Sequence, residues 1–200
     1  LFSRLKEENV SPEKYIRWAQ NNLKSAKDEA EKLSFQRHLE SAQAYARYQE
    51  LLREENAVDF ADLIYLTYQL LKKHPDIRAK LQEQFRYILV DEFQDTNYLQ
   101  YEILKLLVNK DKNITVVGDD DQSIFRWRGA ALSNILFFQR DFPKAKKVVL
   151  VQNYRSPQEI LDIAYKAIQH NNPDRLEVKA KVKKRLIGEF SNKRAVNFQY

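Results

Sequence analysis

The stretch Y-I-L-V-D-E-F-Q-D-T, residues 87–96, joins a short apolar run to a dense polar cluster. Tyr87–Val90 are strand formers, and such a run predicts a strand buried on both faces of a parallel sheet. Asp91 and Glu92 follow it directly. Ligands of open α/β sheets bind beyond the carboxyl ends of the strands, so we expect both acids to face a binding crevice. The alternative is a strand that simply turns polar where it meets solvent, but five polar residues in six positions favour a functional site.

The composition of the 200 residues narrows the class of protein. With 44% hydrophobic residues a sizeable core can form, and a net charge of +6 permits a nucleic-acid partner without requiring one. The absence of cysteine excludes disulfides and thiolate metal sites. The sequence has no apolar run of about 18 residues and no signal peptide, so we expect no membrane span and a cytoplasmic protein of bacterial type.

Both ends of the sequence predict an internal part of a longer protein. The chain starts at Leu1 and contains no methionine. It stops within the alternating pattern of residues 195–200, which predicts a strand.

The first part of the chain, residues 1–56, reads as charged helices. Ser11 is a good helix cap, and apolar residues spaced by three and four predict one stripe on one helix as far as Leu33. A second helix follows from Phe35. Asp59 is expected to cap a third helix, which ends before Pro75.

After Thr96 the sequence predicts a helix and then a second strand. Helical spacing from Leu99 to Leu107 is followed by the apolar run Ile114–Val117, which again ends in acids at Asp119–Asp121. Strand, helix and strand in this order predict two parallel neighbouring strands.

Further on, the chain repeats the pattern of a strand followed by polar residues. Lys147–Val151 predicts a third strand, and Ser156 with Glu159 predicts a capping box at the start of another helix. The basic run Lys179–Arg185 is expected to be a solvated loop, with a nucleic-acid contact as the alternative.

The residue types at these strand ends suit metal-assisted phosphoryl transfer. Asp91 could hold Mg²⁺, and Glu92 could orient and deprotonate a water molecule. Gln122 could sense a terminal phosphate by hydrogen bonding, and Arg155 could stabilise charge that develops on it.

Aromatic and cationic side chains alternate in the segment F-R-W-R, residues 125–128. Phe125 and Trp127 could stack on unpaired bases while the arginines between and beside them meet phosphates. An aromatic core strand with snorkelling arginines is the alternative.

Three segments in this order resemble helicase motifs II, III and IV of the UvrD/Rep/PcrA-type superfamily 1 DNA helicases. They are V-D-E-F-Q-D-T-N, V-G-D-D-D-Q-S-I-F-R-W-R-G-A and Q-N-Y-R-S. The resemblance is close over residues 57–170, and residues 1–56 resemble the end of the helical subdomain 1B more weakly.

This resemblance implies a fold of the P-loop NTPase type: an α/β, RecA-like parallel sheet flanked by helices. Residues 1–56 would be a partial 1B-like helical subdomain. Residues 57–145 would belong to the first motor domain, and residues 146–200 would begin the second.

The resemblance also implies roles at matching positions. Asp91 corresponds to the Mg²⁺-coordinating acid and Glu92 to the acid that activates the hydrolytic water. Gln122 corresponds to the glutamine that reports the γ-phosphate to the DNA site. Tyr154 corresponds to the residue that stacks on adenine, and Arg155 to an arginine finger.

For DNA, Phe125 and Trp127 correspond to the aromatic residues that stack on single-stranded bases, and Arg128 to an arginine that links them to the nucleotide. Phe93 and Phe125 stand where many members carry tyrosine, which keeps the ring. Ala61 stands where an acid is common.

The activity implied by the resemblance is an ATP-dependent 3′–5′ DNA helicase that uses ATP and Mg²⁺. It would act on single-stranded DNA and on junctions with duplex DNA, in DNA repair or replication. None of the three glycines lies in a G-x-x-x-x-G-K-[ST] phosphate loop, so we expect these 200 residues alone to hydrolyse ATP poorly. The helicase part of a helicase–nuclease and a non-catalytic DNA-binding scaffold are the alternatives.

Overall fold

The computed structural model describes residues 1–123, 133–173, 175–179 and 181–189, apart from the side chains of residues 133 and 134. The helices in these ranges are α1 (Phe2–Glu7), α2 (Pro12–Lys24), α3 (Glu29–Glu54), α4 (Phe60–Lys73), α5 (Pro75–Gln84), α6 (Tyr98–Leu107), α7 (Ser133–Asp141), α8 (Gln158–Ile168) and α9 (Leu176–Lys179). The strands are β1 (Ile88–Val90), β2 (Ile114–Val116), β3 (Gln152–Asn153) and β4 (Ile187–Gly188).

The described residues form a mostly helical α/β protein with two small parallel sheets, β1–β2 and β3–β4. Contacts between residues divide the chain into two units. The first contains Leu1–Gly118, and the second contains Asp119–Gln122 together with the chain from Ile135 onward. The domain ranges expected from the sequence stay predictions. Within the described ranges, no helix has the length and apolar character that a membrane span requires.

The first helices follow the predicted start but not the predicted break. Helix α2 begins after Ser11, whose side chain accepts a backbone hydrogen bond at 3.3 Å. The expected single helix as far as Leu33 was wrong, because α2 ends at Lys24. Asp28 caps a new helix by accepting a hydrogen bond from the amide of Glu31 at 2.8 Å. Leu33 therefore belongs to α3.

A small aromatic core holds these helices together. Tyr15, Ala42 and Tyr45 are buried in one cluster. The ring of Phe2 stacks on Tyr45 with 5.0 Å between the ring centroids, and the hydroxyl of Tyr45 donates to the carbonyl of Val10 at 3.4 Å. Burial raises the pKa of Tyr45. Ala42 is fully buried, so a larger side chain there would have to displace its neighbours.

A buried lysine ties α1 to the start of α4. The side chain of Lys6 is 0% exposed, and its Nζ lies 2.7 Å from Asp59 Oδ2 and 2.8 Å from Asp62 Oδ1. The hydroxyl of Tyr48 also donates to Asp59, at 3.0 Å. The predicted cap is confirmed, since Asp59 and Asp62 exchange hydrogen bonds with each other's backbone amides in a capping box.

The environment of Asp59 favours its ionised form. Burial acts to raise the pKa of Asp59, but hydrogen bonds from Lys6, from the amide of Asp62 and from Tyr48 outweigh it. The pKa of Asp59 is therefore lowered, and its carboxylate contributes to stability through these bonds.

The predicted strand, helix and strand are confirmed as β1, α6 and β2. The two strands are parallel, with Ile88 opposite Ile114. The ladder continues past both strand ends, because Val117 donates to the carbonyl of Val90 at 2.8 Å and Phe93 donates to that of Val117 at 2.9 Å. These bonds fix the chain immediately after β1.

The prediction that β1 is buried on both faces was wrong. Ile88 and Val90 are half-buried, whereas Leu89 is 78% exposed. Val90 lines a cleft with Ile103 and Leu104 of α6, so the packing of this strand comes from one side. Within the described part of the first unit, β2 is the strand that pairs with β1.

The predicted strand Lys147–Val151 was also wrong in its position. The paired residues are Gln152–Asn153, opposite Ile187–Gly188 of β4. Because β4 is only two residues long, the ladder cannot extend back over the apolar run. Val148 and Leu150 are accordingly 67% and 76% exposed.

The predicted capping box headed by Ser156 does not form. Oδ1 of Asn153 accepts hydrogen bonds from the amides of Arg155 at 2.9 Å and Ser156 at 2.8 Å. This side-chain turn competes with the helix start, as asparagine often does. Helix α8 begins at Gln158, after Pro157.

We expect Lys6→Met to lower the free energy of unfolding by about 3–5 kcal/mol, because it leaves two acids without their buried cation. Urea unfolding followed by circular dichroism measures the change. Arg4→Met is the matched control, since it breaks an exposed ion pair with Glu8 on the same helix. The control should lose far less stability, and equal losses in both variants would contradict the buried ion pair.

A second prediction concerns pH. The lowered pKa of Asp59 means that its stabilising contribution is present above its ordinary pKa of about 3.9 and is lost as the pH falls through the folded-state value. The difference in unfolding free energy between the wild type and Asp59→Asn should therefore stay constant above about pH 4 and shrink as the pH falls below it, through the lowered pKa of Asp59. Asp76→Asn, at an exposed acid of α5, is the control. A difference for Asp59→Asn that did not change with pH would refute the prediction.

Candidate functional site

The first polar cluster lies where β1 ends. Asp91 and Glu92 are both exposed. Glu92 has φ 49° and ψ 41°, in the left-handed region, which costs a residue with a side chain about 1–2 kcal/mol. Oδ1 of Asp91 accepts a hydrogen bond from the amide of Glu92 at 2.9 Å and so supports this turn. A strained backbone at an exposed strand end is typical of a functional site.

Buried neighbours hold the side chain of Glu92. Gln94 is 1% exposed and donates from Nε2 to Glu92 Oε2 at 2.6 Å. Phe93, also 1% exposed, packs edge-on against Tyr101 with 5.7 Å between the ring centroids. Gly118 leaves space for the side chain of Gln94, because a Cβ at position 118 would lie only 2.8 Å from Gln94 Oε1.

The two acids keep oxygens available for a ligand. In the part of the chain that the structure describes, no hydrogen bond occupies Oδ2 of Asp91 or Oε1 of Glu92. Glu92 also lines an open cleft of about 470 Å³ with Asp95 and Thr96. An exposed carboxylate with an oxygen that no hydrogen bond occupies, such as that of Asp91, fits Mg²⁺, which takes one or two protein carboxylates and completes its shell with water and phosphate oxygens. Asp91 therefore fits the metal ligand that the resemblance implies.

The second polar cluster, at the acids after β2, is a set of ion pairs within the second unit. Nζ of Lys184 lies 2.6 Å from Asp119 Oδ1 and 3.0 Å from Asp121 Oδ2, and it also donates to Asp120 Oδ1. The side chain of Lys184 is 15% exposed. The expected solvated loop over residues 179–185 was therefore wrong at this position, because three carboxylates attract the ammonium group out of water.

Arg175 completes this cluster. It is 4% exposed, and its Nε and Nη2 each lie 2.7 Å from an oxygen of Asp121 in a bidentate pair. Its Nη1 lies 2.8 Å from Glu177. The amide of Leu176 donates to Asp120 Oδ2 at 2.6 Å. The start of α9 is thus bound to the acids that follow β2.

The charges of this cluster are mutually stabilised. Burial opposes the charge of Lys184, but its hydrogen bonds to Asp119, Asp120 and Asp121 outweigh burial and raise its pKa to about 12. Burial likewise acts to raise the pKa of Asp121, whereas the bonds from Arg175 and Lys184 hold that pKa below its usual value. Lys184 and Asp121 are therefore both charged near neutral pH.

The three carboxylates also lie close enough together to resemble a metal site. One oxygen from each of Asp119, Asp120 and Asp121 lies within 4.8 Å of the others. Each of these acids, however, already accepts a hydrogen bond from Lys184. A cation in the same place would have to displace the lysine, so Asp91 is the better candidate for a metal ligand.

Three predicted site residues lie exposed in the second unit. Gln122 donates from Nε2 to Asp119 Oδ2 at 3.0 Å. Tyr154 is 68% exposed, and the neighbouring Arg155 is exposed as well, with its amide bonded to Asn153. Their side chains are accessible to a ligand, and their roles stay predictions. Phe125, Trp127 and Arg128 lie outside the described residues.

Sequence reasoning missed Lys184 and Arg175. The run Asp119–Asp121 could have predicted cationic partners, because adjacent carboxylates beside a strand cannot be buried without compensating charge. Asp120 is 7% exposed, so cations were required. The basic run near the end of the chain contained one of them.

Comparison with known proteins agrees with the motifs. A family model described as the UvrD/REP helicase N-terminal domain matches residues 1–143. An ATP-dependent DNA helicase PcrA of Leuconostoc citreum is 47% identical over 131 residues, which cover 66% of this chain and 18% of the relative.

The PcrA helicases of Staphylococcus epidermidis (strain ATCC 35984) and Staphylococcus aureus (strain Mu50) are 43% and 42% identical over 177 residues. That alignment covers 84% of this chain and 24% of each relative. The chain thus spans about a quarter or less of the length of these relatives. Because the family model covers most of the chain, the chain belongs to the UvrD/REP helicase family, as a relative of the PcrA helicases.

Proposed function

We propose that the chain is part of an ATP-dependent DNA helicase that moves 3′–5′ along single-stranded DNA and unwinds duplex DNA at junctions, in DNA repair or replication. The observation that carries this proposal is the exposed Asp91–Glu92 pair after β1, with Glu92 in a strained conformation and bonded to Gln94. The printed names of the relatives, ATP-dependent DNA helicase PcrA, support the same reaction.

We assign the sheet β1–β2 to a RecA-like motor domain. The parallel pairing of the strands and the crossover through α6 support this assignment. The proposed domain ranges are 1–56 for a 1B-like subdomain, 57–145 for the first motor domain and 146–200 for the start of the second.

The acids divide the chemistry between them. Asp91 would hold Mg²⁺, which when bound neutralises charge on the phosphate oxygens. Glu92 accepts a proton from the attacking water, and its bond to Gln94 orients the carboxylate for this task.

The remaining assignments follow the family motifs. Gln122 bonds the terminal phosphate, Arg155 stabilises charge on it, and Tyr154 stacks on the adenine. The exposure of these three side chains supports their availability to a nucleotide. Arg128 is assigned to the link between nucleotide and DNA.

Glu92→Gln tests this function in the full-length protein. Removing the base should lower kcat for DNA-stimulated ATP hydrolysis by roughly 10²–10⁴-fold, while binding of nucleotide and DNA stays unchanged. A coupled ATPase assay measures hydrolysis, and fluorescence titrations measure binding.

Glu83→Gln is the matched control, because it makes the same change at an exposed acid of α5. Its kcat should equal that of the wild type. Loss of hydrolysis together with both kinds of binding in Glu92→Gln would argue against a role in the chemical step.

The proposed DNA contact has its own test. Trp127→Ala should weaken binding of single-stranded DNA by about 1–3 kcal/mol, because one stacking platform is lost. Fluorescence anisotropy with a labelled oligothymidine measures the affinity of the full-length protein. Trp18→Ala, at the other tryptophan of the sequence, is the control and should bind normally. Equal weakening in both variants would count against stacking at Trp127.

A further inference from the structure

Asp119 connects a buried cation to the exposed side chain of Gln122. Its Oδ1 accepts from Lys184 Nζ at 2.6 Å, and its Oδ2 accepts from Gln122 Nε2 at 3.0 Å. Oδ1 also accepts from the amide of Asp121 at 3.2 Å. Both oxygens of this carboxylate therefore accept hydrogen bonds, and one of these bonds restrains the Gln122 amide group.

Lys184 leaves the carboxylates little freedom. An ammonium group has three donors, and here they meet one acid each in Asp119, Asp120 and Asp121. At 15% exposure, water competes weakly for these donors, so the interactions are stronger than on an open surface. The ammonium group thus acts as a common anchor for the turn that ends in Gln122.

Two further contacts hold the turn over residues 119–122. Arg175 holds Asp121 in a bidentate pair, and the amide of Leu176 holds Asp120. Gln122 therefore belongs to the second unit by its contacts, although the chain reaches it from β2 of the first.

We propose that Lys184 is a positioning residue for Gln122, acting through Asp119 to set the direction of the Gln122 amide for ATP hydrolysis. This inference rests on the proposed role of Gln122 at the terminal phosphate. It adds a residue 62 positions further along the chain to the machinery of that step. Loss of Lys184 would remove the cation that holds the Asp119 carboxylate and so loosen the restraint on the Gln122 amide group, and the chemical step should therefore suffer more than substrate binding.

The experiment measures DNA-stimulated ATP hydrolysis of the full-length protein for Lys184→Met, Gln122→Ala and the double variant. Lys184→Met should lower kcat roughly 10- to 100-fold and leave KM for ATP within about twofold. Gln122→Ala should lower kcat to a similar degree. In the double variant kcat should fall no further than in Gln122→Ala, because both substitutions remove the same contribution to the chemical step.

Lys183→Met is the matched control, with the same change of charge at the exposed neighbouring residue. It should have the kcat of the wild type. Asp119→Ala tests whether misfolding explains a loss of activity in Lys184→Met. It removes the shared carboxylate, while Lys184 keeps its contacts with Asp120 and Asp121. This variant should show the same loss of kcat, with a thermal unfolding midpoint close to that of the wild type.

The outcomes separate the two proposals. If Gln122→Ala leaves kcat unchanged, the proposed role of Gln122 is wrong. If Gln122→Ala lowers kcat but Lys184→Met and Asp119→Ala do not, the positioning role alone is overturned. Losses that multiply in the double variant would overturn it too, since Lys184 would then act independently of Gln122.

Discussion

The parallel pairing of β1 with β2 is the constraint on which the candidate site depends. Its ladder runs past both strand ends through Val90, Val117 and Phe93, so backbone hydrogen bonds restrain the residues directly after β1. That restraint, together with the buried side chain of Gln94, sustains the left-handed conformation of Glu92. The close approach at Gly118 is part of the same arrangement, because a side chain there would collide with Gln94.

Electrostatic compensation organises each unit separately. Lys6 in the first unit and Lys184 in the second are largely removed from water, and each is paired with a group of carboxylates. Such clusters are weak sources of net stability, because desolvation offsets most of the attraction. Their contacts connect distant segments: Lys6 ties α1 to the cap of α4, and Arg175 and Leu176 tie the acids after β2 to the start of α9.

Some local features could be predicted from the sequence, whereas the distant ion pairs could not. Asp59 as a cap and the β1–α6–β2 order depend on residues close in the chain, and both are confirmed. Lys6 and Asp59 are 53 residues apart, and Lys184 and Asp119 are 65 apart, so no periodicity reports those pairs. The exposure of Leu89 was missed because an apolar run reveals its composition but not which faces are covered.

The two acidic strand ends show why residue type alone cannot assign chemistry. Asp119–Asp121 resemble a metal site in spacing, yet Lys184 and Arg175 already neutralise them. Asp91 and Glu92 are only two adjacent acids, and one oxygen of each has no hydrogen-bond partner among the described residues. A carboxylate that is already paired with a cation of the same fold holds chain segments together. A carboxylate that is exposed and unpaired is available to a metal ion or a water molecule. Compensation, rather than the number of acids, therefore distinguishes the strand end that we propose to be reactive from the one whose acids are already paired with cations.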